Sequence, residues 1–171
     1  MIIALVQQIR FVQLNPIALK ALIDGDLDAA SAAAGIPLTP YLVSESWLWR
    51  IRLEQIEQDP CSADWIAAAA VAEPCGLIVG HGGFHGPPEA DGTVEVAYSV
   101  DPAYRRRGYA KAMLAALLRR AEEDPSVHAV RASIRPDNTA SLATIAGFGF
   151  RKVGEQWDAE DGLEDVYLRR V

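Results

Sequence analysis

The fold is decided by residues 94–110, Val94-Glu95-Val96-Ala97-Tyr98-Ser99-Val100-Asp101-Pro102-Ala103-Tyr104-Arg105-Arg106-Arg107-Gly108-Tyr109-Ala110. Bulky residues at 94, 96, 98 and 100 alternate with Glu95, Ala97 and Ser99, the period of a strand, and Asp101-Pro102 stops the run. Three arginines and a glycine then lead into a helix. From Gly108 to about Glu123, apolar Met113, Leu114, Leu117, Leu118 and Ala121 recur at helical spacing, with Lys111, Arg119, Arg120 and Glu122 around the rest of the wheel. The stretch therefore reads as strand, basic turn and amphipathic helix lying on a sheet.

Gly108 and the small Ala110 let an anion approach the backbone closely. The first N–H groups of the helix have no partners within it and sit at the positive end of its macrodipole. Such a turn suits a pyrophosphate. Arg105, Arg106 and Arg107 either add charge-assisted hydrogen bonds to phosphate oxygens or lie solvated in the loop. The turn has neither the GxxxxGK[ST] pattern nor the GxGxxG fingerprint, which sets both of those nucleotide loops aside.

Working outward, short apolar runs at Trp65–Ala72, Leu77–Phe84 and Val127–Ile134 read as further strands. Asn138 to Ala146 reads as a short helix, and Gly149–Trp157 and Val166–Val171 as a terminal strand pair joined around Asp161-Gly162. Upstream, Asn15-Pro16 opens one helix, the alanine-rich piece between Gly25 and Gly35 is a second, and Ser46–Gln58 is a third with Trp47, Ile51 and Ile56 turned inward. Met1 to Leu14 reads as a strand or hairpin edge. No repeat or linker divides the chain. At 171 residues and 50% hydrophobic composition it forms one α/β domain over 1–171, with an N-terminal part of about 1–75 and a core of about 77–157.

Composition narrows the function classes. Twenty-three acidic residues against sixteen Lys and Arg give a formal charge of −7, which disfavours nucleic acid and tilts toward an amine or other cationic partner, although acidic balance also simply keeps proteins soluble. Met1–Leu14 lacks the pattern of a signal peptide, and no apolar run reaches the roughly 18 to 20 residues that cross a bilayer, so a soluble cytoplasmic protein without membrane contact is expected. Cys61 and Cys75 are too far apart for a metal or redox pair, and neither a disulfide framework nor a metal site is expected.

Arg105-Arg106-Arg107-Gly108-Tyr109-Ala110 resembles the cofactor motif of the GNAT superfamily of N-acetyltransferases: Gln or Arg, two residues, Gly, one residue, then Gly or Ala. A second resemblance lies in Pro136-Asp137-Asn138-Thr139-Ala140-Ser141 followed by Gly149-Phe150, similar to the family's Asn-containing helix start and closing Gly-Phe. Gly80-His81-Gly82-Gly83-Phe84 and Glu95-Val96-Ala97-Tyr98 look most like the ribosomal-protein-alanine acetyltransferase branch, RimJ/RimL-like. The resemblance implies a GNAT fold: a mixed, mostly antiparallel sheet of about seven strands, splayed in the middle and flanked by about four or five helices.

The same resemblance implies acetyl-CoA as co-substrate. Its pantetheine arm would pair with main-chain groups of Tyr98, Ser99 and Val100, and amides from Arg106 through Gly108, Tyr109 and Ala110 to Lys111 would hold the pyrophosphate. Asn138 matches a residue that contacts the pantetheine or a water, or else simply caps its helix. Ser141 lies one turn further on the same face. Transfer to a primary amine in a ternary complex needs a proton acceptor, an oxyanion donor and a route for protonating the thiolate.

Glu95, beside small Ala97 and Ser99, is the catalytic base that the pattern selects, since burial on a central strand would raise its pKa toward neutrality. The alternative is an ion pair with an arginine near the strand's start. His81 and His85 are nearby alternatives with suitable intrinsic pKa. Ile145 stands where many family members carry a tyrosine that protonates the thiolate, which leaves Ser141, Tyr98, Tyr109, water or an unprotonated departure. It also opens a second reading, a non-catalytic acyl-CoA-binding module. The acceptor stays open among a protein α-amine, a free amino acid, a polyamine and an aminoglycoside. A homodimer is the commonest assembly for a small enzyme.

Overall fold

Alternation, capping and punctuation place nearly every element. The structure, a computed structural model, describes residues 7–171, so the first six residues of the expected N-terminal strand lie outside it. Strand β1 (Gln8–Gln13) leads into α1 (Pro16–Asp24) and α2 (Leu27–Ala34). Asn15 caps α1 by accepting a hydrogen bond from the Ala18 amide at 2.9 Å, and Asp26 caps α2 through the Ala29 amide at 2.9 Å. Helices α3 (Pro40–Ser44) and α4 (Ser46–Gln58) follow, then strands β2 (Ala68–Glu73), β3 (Leu77–Phe84) and β4 (Thr93–Val100). Helix α5 (Tyr109–Glu123), β5 (Ala129–Ile134), α6 (Thr139–Ile145), β6 (Arg151–Asp158) and β7 (Gly162–Arg170) complete the chain.

The seven strands form one mixed sheet in the order β1-β2-β3-β4-β5-β7-β6. Every neighbouring pair is antiparallel except β4 and β5. That parallel pair is bonded over three rungs only, Thr93 with Ala129, Val94 with Val130 and Glu95 with Arg131. Beyond Glu95 the two strands part, while β3 stays paired with β4 as far as Gly80 opposite Val100. The sheet is therefore splayed at its centre.

One face of the sheet carries α5, whose Leu114, Leu117, Leu118 and Ala121 pack with Phe84, Val94, Val96 and Val130. Met113 and Tyr109 reach Val79 and the ring of Tyr98. The other face, over β2 and β3, carries α1 to α4, centred on the wholly buried Leu19, Leu22, Leu42 and Trp49. Burying side chains of this size contributes about 1.5 to 3 kcal/mol each, the main drive for closing the helices onto the sheet.

Two local expectations are corrected. In α4, Trp47 and Ile51 are exposed at 55% and 45%, while Trp49 and Ile56 are buried. The inward stripe is set by Trp49, whose indole Nε1 donates to the Leu42 carbonyl at 2.5 Å and fixes the helix rotation. Strand β7 starts at Gly162 rather than Val166, because the turn before it is tied by Asp158 Oδ1, which accepts from the amides of Glu160 at 2.7 Å and Asp161 at 2.9 Å.

Candidate active site

The basic turn has a backbone geometry in keeping with its composition. Gly108 caps α5 with φ of 85°, the left-handed region that costs a residue with a Cβ about 1 to 2 kcal/mol. No side chain caps this helix start, so its leading amides are presented outward beside exposed Arg105, Arg106, Arg107 and Lys111. Arg106 itself sits at φ of 61°, a strained conformation of the kind found in anion-cradling loops. The arginines are not equivalent. Arg105 Nε donates to the Val100 carbonyl at 3.3 Å, and Arg107 lies 5.6 Å over the Tyr104 ring, which in turn meets buried Tyr109 edge to face at 6.2 Å.

Where β4 and β5 part, a cavity of about 750 Å³ opens. Ala97, Tyr98 and Ser99 line it from β4, Ser133 from β5 and Ser141 from α6. The unbonded half of β4 thus offers main-chain groups to a ligand strand while the start of α5 offers amides to an anion. Both features fit a long, thin ligand with a diphosphate, as coenzyme A is. Burial pushes the Tyr98 hydroxyl up to about 12, so it holds its proton at every physiological pH. Asn138 is the cap of α6, its Oδ1 accepting from the Ser141 amide at 3.1 Å.

Of the two sequence expectations for Glu95, catalytic base or partner of an arginine, the structure shows the ion pair. Glu95 occupies the last bonded rung below the splay, its Oε2 is 3.6 Å from Arg131 Nη1, and it is not among the residues that line the cavity. Arg131 also forks onto Glu89, at 2.7 and 3.2 Å. Alternation put Glu95 on the correct face, but no sequence rule says at which rung a parallel pair separates. His85 does line the cavity. Its imidazole is partly desolvated there, which lowers its pKa, while Glu95 opposes that shift and Arg52 adds to it. Ile145 is buried in the core with Phe148 and Phe150 packed nearby, so this position faces apolar neighbours.

The feature that sequence reading did not assemble is a cluster on the wall under α3 and α4. His81 Nε2 lies 3.2 Å from Glu45 Oε2, two groups 36 residues apart that no local pattern connects. The Tyr41 ring stacks on the imidazole with centroids 5.8 Å apart, and Trp49 meets it edge-on at 5.1 Å. Tyr41 Oη and Ser99 Oγ share a hydrogen bond of 2.8 Å, which ties α3 to the unbonded half of β4. Four carboxylates, Glu45, Asp158, Glu160 and Asp161, line this cavity against the single cation of Arg52. Among the described residues no group of His, Cys, Asp and Glu is gathered that could hold a metal ion. No described helix is long and apolar enough to cross a membrane.

A sheet that parts beside an uncapped, glycine-led helix start fits the architecture of an acetyltransferase domain. The family model for the acetyltransferase (GNAT) domain matches residues 18–151, and the chain belongs to that family. Among curated proteins it is 32% identical over 73 residues to the uncharacterized N-acetyltransferase YjdG of Bacillus subtilis, a match covering 43% of this chain and 44% of that relative's length. The acetyl transferase from Salmonella typhimurium that modifies the N-terminal serine of ribosomal protein L7/L12 superposes with a TM-score of 0.63 at 14% identity, over 96% of this chain and 95% of that one. The microcin C7 self-immunity acetyltransferase MccE, solved with acetyl-CoA and AMP, gives a TM-score of 0.64 at 13% identity, over 96% and 93% of the two chains. At such identities the structural matches establish the fold.

Proposed function

We propose that this protein is an acetyl-CoA-dependent N-acetyltransferase that moves an acetyl group to a primary amine by direct attack in a ternary complex. The observation that carries the reading is the coincidence of three things at one place. These are the parted β4–β5 pair, the uncapped start of α5 with Gly108 in the left-handed region, and a cavity walled by Ala97, Ser99, Ser133 and Ser141. Acetyl-CoA supplies an activated thioester. The chain supplies everything else: main-chain groups of Tyr98 to Val100 to align the pantetheine, amides of Arg106 to Lys111 for the diphosphate, and a walled space that brings an amine to the acyl carbon.

Family membership and the neighbour solved with acetyl-CoA support the same reading. The excess of carboxylates on the cavity wall favours an acceptor that arrives as a cation. Within the family we assign the chain to the RimJ/RimL-like branch, on Gly80 to Phe84 and Glu95 to Tyr98, which makes an α-amine of a polypeptide the first acceptor to try. An α-amine, with pKa about 8, releases its proton more readily than a lysine at about 10.4.

The decisive experiment is release of free coenzyme A thiol from acetyl-CoA in the presence of peptide N-termini, free amino acids, polyamines and aminoglycosides. Amine-dependent thiol release is expected. Acetyl-CoA binding by calorimetry with no release from any amine refutes the enzymatic reading and leaves an acyl-CoA-binding module.

A further inference from the structure

Within the N-acetyltransferase reading, we propose that His81, held in place by Glu45, takes the proton from the attacking amine. His81 stands directly opposite Ser99 in the β3–β4 register, and cross-strand neighbours on one face lie about 5 Å apart. Its imidazole therefore lines the cavity beside the half of β4 that has lost its β5 partner. Glu95 sits four residues further down β4 than Ser99, on the last rung bonded to β5, and is engaged with Arg131. Position along the strand, rather than residue type, separates the two.

The imidazole is held by three neighbours. Glu45, from the junction of α3 and α4, accepts at Nε2 across 3.2 Å, which leaves the lone pair on Nδ1. Tyr41 of α3 covers one ring face and Trp49 of α4 abuts the ring. The titratable and charged groups facing it are Glu45, Arg52 of α4 and Tyr41. Burial lowers the His81 pKa below the ordinary value, Glu45 opposes this, and Arg52 adds to it. Tyr41 is itself raised, chiefly by burial, and stays neutral. A neutral imidazole near pH 7, oriented by a carboxylate that stabilises its protonated form, is the arrangement a general base requires.

In the reaction the acceptor ammonium first releases one proton to solvent, and the lone pair so freed forms the N–C bond to the acyl carbon. As it does, His81 Nδ1 accepts a second proton from that nitrogen, directly or through one water, the C–S bond breaks with its electron pair going to sulfur, and the proton passes from the imidazolium to sulfur. The atoms balance as amine plus thioester giving amide plus thiol. Glu45 is a positioning residue in this step, acting through the imidazole.

The test compares His81→Gln, Glu45→Gln and Glu95→Gln. Histidine Cε1 resonances of the free protein, three in all, are titrated by NMR, with His81→Gln assigning its own signal by deletion. His81 is expected to titrate below 6.5 and to move lower still in Glu45→Gln, which removes the charge that favours imidazolium. In turnover, His81→Gln is expected to lower kcat about 100-fold and to remove the acid limb of kcat/KM, while acetyl-CoA affinity by calorimetry changes less than about twofold. Glu45→Gln is expected to shift that limb to lower pH with kcat down about tenfold. His81→Gln retaining kcat within about threefold, with the acid limb lost in Glu95→Gln instead, overturns the proposal and gives the proton to Glu95. A His81 pKa unmoved by Glu45→Gln also overturns it. Wild-type protein that binds acetyl-CoA and turns over no amine defeats the enzymatic reading itself, a different result from turnover that survives His81→Gln.

Discussion

Strand β4 is one run of eight residues in two environments. Its first three, Thr93 to Glu95, are bonded to β5 on one side, and Glu95 meets Arg131 across the last rung. Its last five, Val96 to Val100, are bonded to β3 alone, and Val96 to Ser99 border the cavity on the other side. The lower half holds the sheet together, and the upper half leaves the edge that faced β5 without a strand partner. Side chains of similar chemistry thus have different roles according to the rung they occupy: a carboxylate below the split serves an ion pair, whereas Ser99 above it faces the cavity and is anchored to Tyr41.

The largest way to break this division is to spoil the pairing that supports the free half. A Cβ added at Gly80 would lie 2.0 Å from the Ser99 carbonyl oxygen, a backbone atom that cannot yield. Gly80→Ala is therefore expected to cost about 4 kcal/mol or more in denaturant unfolding and to abolish acetyl-CoA binding with it. A variant that unfolds within about 1 kcal/mol of wild type would show that β3 does not fix the upper half of β4.

The next effect sharpens the comparison at the ligand end. Gly108→Ala forces a Cβ into the left-handed region, where, among the described residues, the neighbour within 4 Å is the Gln7 side chain at 3.6 Å, so strain rather than collision is the cost. A loss of about 1 to 2 kcal/mol is expected, appearing as roughly tenfold weaker acetyl-CoA binding as the α5 start shifts. Alanine at Arg107, whose guanidinium lies over Tyr104, should weaken binding much less, by an amount that shrinks as salt rises. Equal effects of the two substitutions would mean that side chains, not amides, hold the diphosphate.

These two predictions also mark what could be read in advance. The loop was legible because its chemistry is local: a strand, a glycine and a helix start within 17 residues, all using backbone groups whose behaviour follows from sequence order. The caps at Asn15 and Asn138 and the stripe of α5 followed from the same local rules, whereas the sheet order did not, since β7 enters between β5 and β6 by long-range pairing. The wall of the cavity was not legible, because Tyr41 of α3 and Glu45 at the α3–α4 junction meet His81 of β3 only after those helices close over the sheet. Helix α3 was missed since a five-residue helix shows no periodicity, and the rotation of α4 was misjudged because Trp49, not Trp47, fills the core. For Glu95, alternation gave the face, while the rung it occupies beside Arg131 came only with the fold.

Glu95→Gln gives a smaller effect on the lower half. It removes one arm of the Arg131 contact while Glu89 keeps the other two bonds, so about 1 kcal/mol of stability is expected to be lost, with the thermal midpoint falling a few degrees. A loss above about 3 kcal/mol would show a buried charge stranded on Arg131, which the retained Glu89 fork argues against.

The smallest expected effect tests the tie between the halves of the site. Tyr41→Phe keeps the ring stacked on His81 and deletes only the hydroxyl that meets Ser99 Oγ at 2.8 Å. A neutral hydrogen bond of this kind contributes about 0.5 to 1.5 kcal/mol, and the exposed edge of the cavity lets water replace it on Ser99, so the lower end is expected. Stability should change by about 0.5 kcal/mol, and acetyl-CoA affinity should stay within about threefold of wild type, since the pantetheine is aligned by the main chain of Tyr98 to Val100 and not by the Ser99 hydroxyl. Ser99→Ala removes the same bond from the other side and, combined with Tyr41→Phe, should add almost nothing further, as two partners of one interaction do in a double-mutant cycle. An additive double mutant would mean that the Ser99 hydroxyl has a second partner in the free half of β4, and the division between main-chain alignment and side-chain chemistry would have to be redrawn at that residue.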